Sequence, residues 1–526
     1  MNKTSLRFAD LSAAEKRVLL AELLQKKAQR SASSHPLSYN QQGIWFLYQL
    51  APESSVYNVN FAARIGSEID IPAMRRAFQV LVERHPALRT TFPVHLGKPI
   101  QRVHETQEVN FQQVECSTSV NGELDSKLLE EAYRPFDLER GPLLRVTLFT
   151  RSSEDHILLL AVHHIVIDFW SLAILLDELG IVYPAESAGV KAPLPAHAAE
   201  YADYVRWQAE MLASPEGERL WEYWRAQLAG ELPVLQLRSD RPRPAIPTYR
   251  GASHDFTIDA QVSADLKAFA RAHGATLYMV LLAAFYVVLS YHSGQEDLLV
   301  GSPMAGRSRA EFEGIIGLFT NPVILRANLS GNPAFATFLD HVRVTVLSAL
   351  EHQDYPAVLL VERLRPARVP NRPPLCQVMF VLDKPHRIEQ QGASEFVGVA
   401  NGLRMNPGGL VLESMALERR AATLDAVLLI IETQGLLAAS MRYNTDLFDS
   451  ATIAQFSRHF EILLRTVLLE PRTTLDALKL RLVESDQQRQ LDLLQEQRKV
   501  NLQRLKHPKR KRLVASQPSA EGVSRK

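Results

Sequence analysis

Between residues 10 and 30 the apolar positions recur at helical spacing. Leu11, Val18, Leu19, Leu23 and Leu24 share one face, with Glu15, Lys16, Arg17 and Glu22 between them. Ser12 is placed to cap this helix, with Glu15 three residues on. A polar break follows at 31–36, so residues 1–35 read as an appended helix and linker, either a packing helix or a docking element for a partner. From 37 to 210 strand and helix patterns alternate. Residues 61–65 predict a strand, and 71–83 a helix with Ala73, Phe78 and Leu81 inward. Segments 143–149 and 157–166 predict two more strands. The second is apolar on both faces as far as its histidines, the pattern of a strand inside a covered sheet. A helix is expected at 169–179, and residues 194–228, rich in Tyr and Trp, read as helical.

Pro242, Pro244 and Pro247 then alternate with charges, marking a linker or an extended crossing segment. The region 250–480 is again mixed. It predicts a long apolar helix at 277–291, strands at 297–301, 323–327, 377–382, 428–432 and 437–443, and a closing amphipathic helix at 451–468. Beyond 486 a basic cluster of Lys506, Lys509, Arg510, Lys511 and Arg512 precedes a Ser/Gly-rich end, which reads as a disordered, solvated tail. Its sharper reading is contact with an acidic partner.

Composition narrows the class. At 526 residues the chain has room for two to four domain-sized units. Apolar residues at 46% and charged residues at 22% describe an ordinary globular protein, and a net charge of +1 gives no push toward nucleic acid or a membrane surface. Cys116 and Cys376 lie far apart and outside any metal or redox motif, so both read as reduced thiols. With no secretory signal pattern and no apolar run of membrane-spanning length, a cytoplasmic location is expected.

The candidate chemistry is at His163-His164-Ile165-Val166-Ile167-Asp168. Neighbouring residues of a strand point to opposite faces, so only one histidine can face a given cavity. Asp168 stands just before a helix, where a carboxylate can cap it or pair with an arginine. Spacing alone leaves three readings open: histidines satisfied by backbone at a strand end, a metal site, and a general base held by a carboxylate.

The hexapeptide resembles the HHxxxDG signature of nonribosomal peptide synthetase condensation domains, members of the chloramphenicol acetyltransferase-like acyltransferases. Six more segments resemble that family's motifs in its order. They are Leu37-Ser38-Tyr39-Asn40-Gln41-Gln42 with Gly43 to Leu47, Arg84-His85-Pro86-Ala87-Leu88-Arg89-Thr90-Thr91-Phe92, and Tyr201-Ala202-Asp203-Tyr204-Val205-Arg206-Trp207-Gln208. Ile316-Gly317-Leu318-Phe319-Thr320-Asn321 with Leu325-Arg326, His352-Gln353-Asp354-Tyr355-Pro356, and Pro374-Leu375-Cys376-Gln377 continue the set. The resemblance covers about 37 to 480.

The resemblance implies a mixed α/β (α+β) fold of two chloramphenicol acetyltransferase-like lobes in a V-shaped pseudo-dimer, with a tunnel at the lobe junction. It divides the chain into 1–35, an N-terminal lobe at 36–235, a C-terminal lobe at 236–485 and the tail 486–526. His164 is implied as the working residue beside His163, with Asp168 structural and Arg307 its candidate partner. The acyl donor is a thioester on the phosphopantetheine of an acyl or peptidyl carrier protein of a polyketide or peptide synthetase module. The acceptor is an amine or a hydroxyl. No enzyme-bound cofactor, metal or covalent intermediate is implied, and a monomer is expected. The absence of adenylation and carrier signatures fits a free-standing enzyme with docking elements in the flanks 1–35 and 486–526, or a piece of a longer protein in which those flanks are interdomain linkers.

One residue departs from the signature: Phe169 stands where the family has glycine. With Trp170 it is expected to shape the substrate channel. It also keeps open a catalytically silent, carrier-recruiting module, and a third alternative is an acyltransferase using coenzyme A donors.

Overall fold

The computed structural model describes residues 32–506 except 117–120, 367–368, 370, 384–401 and 434. The helix expected at 10–30 and the end of the basic tail lie outside the described residues. In chain order the elements that build the frame are α1 (Tyr39–Leu50), β1 (Asn58–Ile65), α2 (Ile71–Arg84), β2 (Asn110–Glu115), β3 (Leu144–Ser152), β4 (Asp155–His163), α3 (Phe169–Ser187), α4 (Tyr201–Leu212) and α5 (Pro215–Gln227). They continue as β5 (Gly251–Ile258), α6 (Leu277–Ser293), β6 (Asp297–Met304), β7 (Asn321–Asn328), β8 (Val378–Asp383), β9 (Arg404–Met405), β10 (Leu412–Ser414), β11 (Ala426–Thr433), β12 (Leu436–Asn444), α7 (Ser450–Leu469) and α8 (Leu475–Lys506).

Among the described residues two six-stranded mixed sheets form, in the orders β9-β10-β1-β4-β3-β2 and β5-β12-β11-β8-β6-β7. Each is the centre of its own apolar core. Local signals explain the elements. Asp70 accepts a hydrogen bond from the Ala73 amide at 2.9 Å and starts α2, whose Ala73, Met74, Ala77, Phe78, Leu81 and Val82 are buried at helical spacing. Thr276 and Met279 close a capping box at the start of α6, and Gly294 (φ 72°) ends it. Every α6 residue from Met279 to Ser290 is buried, as a helix apolar all round requires. No single helix among the described residues is long and apolar enough to cross a membrane.

Several expectations need correction. The strand expected at 157–166 stops at His163, because the Val166 and Ile167 amides turn back onto the His163 and His164 carbonyls. Residues 194–200 are not helical, whereas 486–506, expected to be disordered, continue α8. β5, which no expectation covered, pairs along its full length with β12.

The expected boundary at 235/236 also differs from the packing. Leu220, Trp221 and Trp224 of α5 belong to the second core. In return, 404–414 crosses from the second half to the first sheet, where Leu412 pairs with Ile65 and Ser414 with Ala63. This strap fits because two glycines meet: a Cβ on Gly180 would lie 2.4 Å from Pro407 Cβ, and one on Gly408 (φ +59°) only 1.6 Å from the Gly180 carbonyl oxygen. Gly180→Ala is expected to destabilise the chain by about 1–3 kcal/mol through overpacking. Gly66→Ala, where a Cβ meets nothing within 4 Å, should be near neutral. Denaturant midpoints of the two variants check this.

Candidate active site

β4 delivers His163 into the first core and His164 to the turn beyond it. His163 is buried, with its Nδ1 accepting from the Ile165 amide at 3.2 Å and its ring near Tyr57 and Phe136. Burial, then the charges of His164 and Arg145, push its pKa down to about 3, so this ring stays neutral. Arg145 is itself buried and held by the carbonyls of Pro135, Glu131 and Arg134, with its guanidinium 3.7 Å from the Phe136 ring centroid.

His164 is half-buried. Its amide is anchored to the Tyr57 carbonyl at 2.8 Å. Its Nδ1–H donates to the Ile167 carbonyl at 2.6 Å. A carbonyl can only accept, so the proton of the neutral ring sits on Nδ1 and Nε2 carries the lone pair. Nε2 has no partner among the described residues. The turn thus presents one imidazole in the tautomer that can accept a proton.

Asp168 fixes the far end of the turn. Its carboxylate is fully buried and caps α3 through the Ser171 amide at 2.8 Å. It accepts from the Phe319 and Thr320 amides at 3.0 and 3.2 Å and from the Thr320 hydroxyl at 3.4 Å. Arg307 closes the set with a two-armed contact at 2.9 and 3.3 Å, while also donating to Ser171 Oγ at 2.7 Å and the Ile315 carbonyl at 3.0 Å. The guanidinium lies 4.0 Å from the Phe319 ring centroid. Burial by itself would raise the Asp168 pKa, but the charge and hydrogen bonds of Arg307, with the Ser171 bonds, outweigh it and hold the carboxyl below the usual carboxylate range.

Arg307 and residues 315–320 come from the second half of the chain, so the histidine turn sits at the seam of the two lobes. Close approach there needs small residues. A Cβ on Gly306 (φ +67°) would lie 2.0 Å from the Phe319 carbonyl oxygen, and one on Gly317 would lie 2.1 Å from the Tyr201 ring. Gln41 Nε2 donates to the Ile165 carbonyl at 3.0 Å, inside the histidine turn, and Asn40 donates to the Thr320 carbonyl at 3.0 Å. The Tyr201 hydroxyl donates to the Leu318 carbonyl at 2.7 Å. Asn321 Nδ2 reaches the Gln353 and Tyr355 carbonyls at 2.7 and 2.8 Å. Two motif segments, at Gln41 and at 316–321, thus touch the turn, and two more, at Tyr201 and 352–356, hold 316–321 in place. Sequence reasoning named the segments but not the supporting roles of Gln41, Ser171 and Tyr201. The available signal was a polar side chain in otherwise apolar surroundings, as at Ser171.

Phe169 and Trp170 part company. Phe169 opens α3 with an ordinary right-handed backbone, so the motif glycine is not needed there for its conformational freedom; the side chain is 45% exposed. Trp170, expected with Phe169 to shape the channel, turns into the seam. Its indole N–H donates to the Glu313 carbonyl at 3.0 Å and its ring centroid is 5.4 Å from the Arg307 guanidinium.

These buried groups set an acid response. His163 has a depressed folded pKa, so its contribution to stability is present above its unfolded value near 6.5 and is lost as pH falls toward about 3. The Asp168 contribution is present above the unfolded carboxyl value of about 4 and lost below it. Asp168→Asn strands a buried guanidinium and should cost about 3–5 kcal/mol. It should also flatten the stability profile below about pH 4 while leaving the His163 part of the curve. Denaturant unfolding at a series of pH values reads both effects.

A family model described as Condensation domain matches residues 31–503. A linear gramicidin synthase protein of Brevibacillus parabrevis is 40% identical over 464 residues, 88% of this chain and 6% of that protein. The chain spans only a small part of the length of the curated relatives it matches. The X-domain from teicoplanin biosynthesis, solved in complex with OxyB, superposes with a TM-score of 0.73 at 26% identity, covering 85% of this chain and 96% of that one. The first condensation domain of the calcium-dependent antibiotic synthetase, solved with a substrate analogue, has a TM-score of 0.68 at 22% identity, covering 84% and 98%. With two sheets, a histidine turn at their seam and seven motifs in order, the chain belongs to the condensation-domain family.

Proposed function

We propose that this chain is an acyltransferase that forms an amide by condensing a carrier-protein thioester with an acceptor amine in nonribosomal peptide assembly. A hydroxyl acceptor would give an ester by the same route. The observation that carries this reading is His164: Nδ1–H is tied to the Ile167 carbonyl, leaving Nε2 as the acceptor on a half-buried ring at the seam. Nε2 accepts an N–H from the amine and orients it toward the thioester carbonyl. The nitrogen attacks, the C–S bond breaks, and the phosphopantetheine thiol leaves with the proton the nitrogen gives up. His163 holds the turn from within the core. Asp168 and Arg307 hold its far end and touch no substrate. The acyl group stays on its carrier until the C–S bond breaks, so the chain needs no cofactor of its own.

Phe169 is the residue that shapes the approach. A phenyl ring in place of glycine adds bulk beside the turn without altering the backbone. The same departure, with the likeness to the X-domain, supports a second reading: a silent module that recruits a partner protein through this fold.

His164→Ala should lower amide formation by about a hundred- to ten-thousand-fold, measured by mass spectrometry with separately loaded donor and acceptor carrier proteins. Unchanged turnover would sink the proposal, and carrier binding with no product in any pair, wild type included, selects the silent module. Coenzyme A-bound donors used as well as carrier-bound ones would select a coenzyme A-dependent acyltransferase. Phe169→Gly is expected to widen tolerance for bulky acyl groups, read as a change in relative kcat/KM across a donor series.

A further inference from the structure

Away from the histidine turn, three metal-ligating side chains from three parts of the first lobe converge. His85 follows α2 as its C-terminal cap, Glu178 lies in the middle of α3, and His197 is on the segment joining α3 to α4. One ligand atom from each lies within 4.8 Å of the other two. His85 Nε2 is 2.7 Å from Glu178 Oε2, and the two imidazole centroids are 4.9 Å apart. His197 Nε2 is buried and has no hydrogen-bond partner among the described residues. A buried nitrogen left without a partner is unfavourable, and a ligand at that position would relieve it.

We propose that His85, Glu178 and His197 form a three-ligand site for a divalent transition metal such as Zn²⁺, completed by water, that ties the α3–α4 segment to α2 and α3. Two imidazoles and one carboxylate suit such an ion better than Mg²⁺ or Ca²⁺, which favour all-oxygen shells. Ligand bonds of about 2.0–2.2 Å put tetrahedral ligand atoms roughly 3.3 Å apart. The His85–Glu178 contact must therefore open slightly, and His197 must close in. His197 sits on irregular chain between two helices, which allows the shift.

Arg84 sets the character of the site. Its Nε lies 3.1 and 2.9 Å from Glu178 Oε1 and Oε2, and its second arm donates to the Pro195 carbonyl at 2.7 Å. With Oε2 on the metal, Oε1 keeps Arg84, which orients the carboxylate from behind. The same positive charge opposes the ion, so the metal exchanges rather than being held permanently. Its role is architectural. It braces the middle of the helix that begins at Asp168, and it does no chemistry on the acyl group, so the inference is independent of the proposed condensation.

The test is a titration of the chelator-stripped full chain with Zn²⁺ by calorimetry and with Co²⁺ by visible absorption. One saturable equivalent with a tetrahedral Co²⁺ spectrum is expected. A rise in Tm with Zn²⁺ concentration should accompany it. His197→Ala should weaken binding at least tenfold and abolish the rise in Tm. His95→Ala, removing an exposed imidazole elsewhere, should change neither. His197→Gln serves as the second variant if the alanine form melts early without metal. No saturable binding, or binding of unchanged affinity in the His197 variants, would overturn the proposal.

Discussion

A carboxylate with no exposed surface and a guanidinium with almost none face each other across the seam of this molecule, one from each half of the chain. Neither charge is tolerable there alone, since removing an ion from water costs far more than one hydrogen bond returns. Asp168 takes its hydrogen bonds from Arg307 and from the Ser171, Phe319 and Thr320 amides, and the terminal nitrogens of Arg307 bond Asp168, Ser171 and the Ile315 and Ala305 carbonyls. Formation of this pair thus demands that the segment after β6 lie on the start of α3. The position of the histidine turn, and of the seam itself, follows from that demand.

The rest of the architecture supports the same juncture from other directions. The strap through β9 and β10 returns the second half of the chain to the first sheet, where the contact between Gly180 and Gly408 leaves no room for a Cβ on either side. α5 reaches the opposite way, with its tryptophans in the second core. Each half therefore contributes chain to the other. The seam is a packed, hydrogen-bonded junction at the histidine turn, so the tautomer of His164 depends on contacts drawn from both halves.

Much of this was legible in the sequence because buried helices and strands leave a periodic trace. α2 and α6 were read almost to their ends, since caps and an apolar face act locally. β4 was read as a central strand from its unbroken apolar run. The end of that strand was misplaced by three residues because Ile165 and Val166 are β-formers, while the turn they occupy is stabilised by backbone bonds and by Gln41 from a distant helix. β5 is built by its pairing with β12, and the helix continues past 486 although Leu491, Leu493 and Leu494 lie exposed there, with no core to mark an inward face. The motif at 163–168 placed the histidines and Asp168 among the candidates, and Arg307, outside the seven motifs, was named only as the candidate partner of Asp168. The motifs could not say that Trp170 faces the seam while the adjacent Phe169 faces outward, since the two differ only in which side of one helical turn they occupy.

By itself, the sequence determined the family, the alternation of elements and the identity of the titratable groups at the site, because these depend on residue type, periodicity and order along the chain. Tertiary structure alone decided which histidine is buried and neutral, which nitrogen of His164 is left open, and which strand of the second half completes the first sheet. It also decided that three residues far apart in the chain, His85, Glu178 and His197, would share one small volume. Those outcomes rest on distances between segments that are remote in sequence, and no local pattern encodes a distance of that kind.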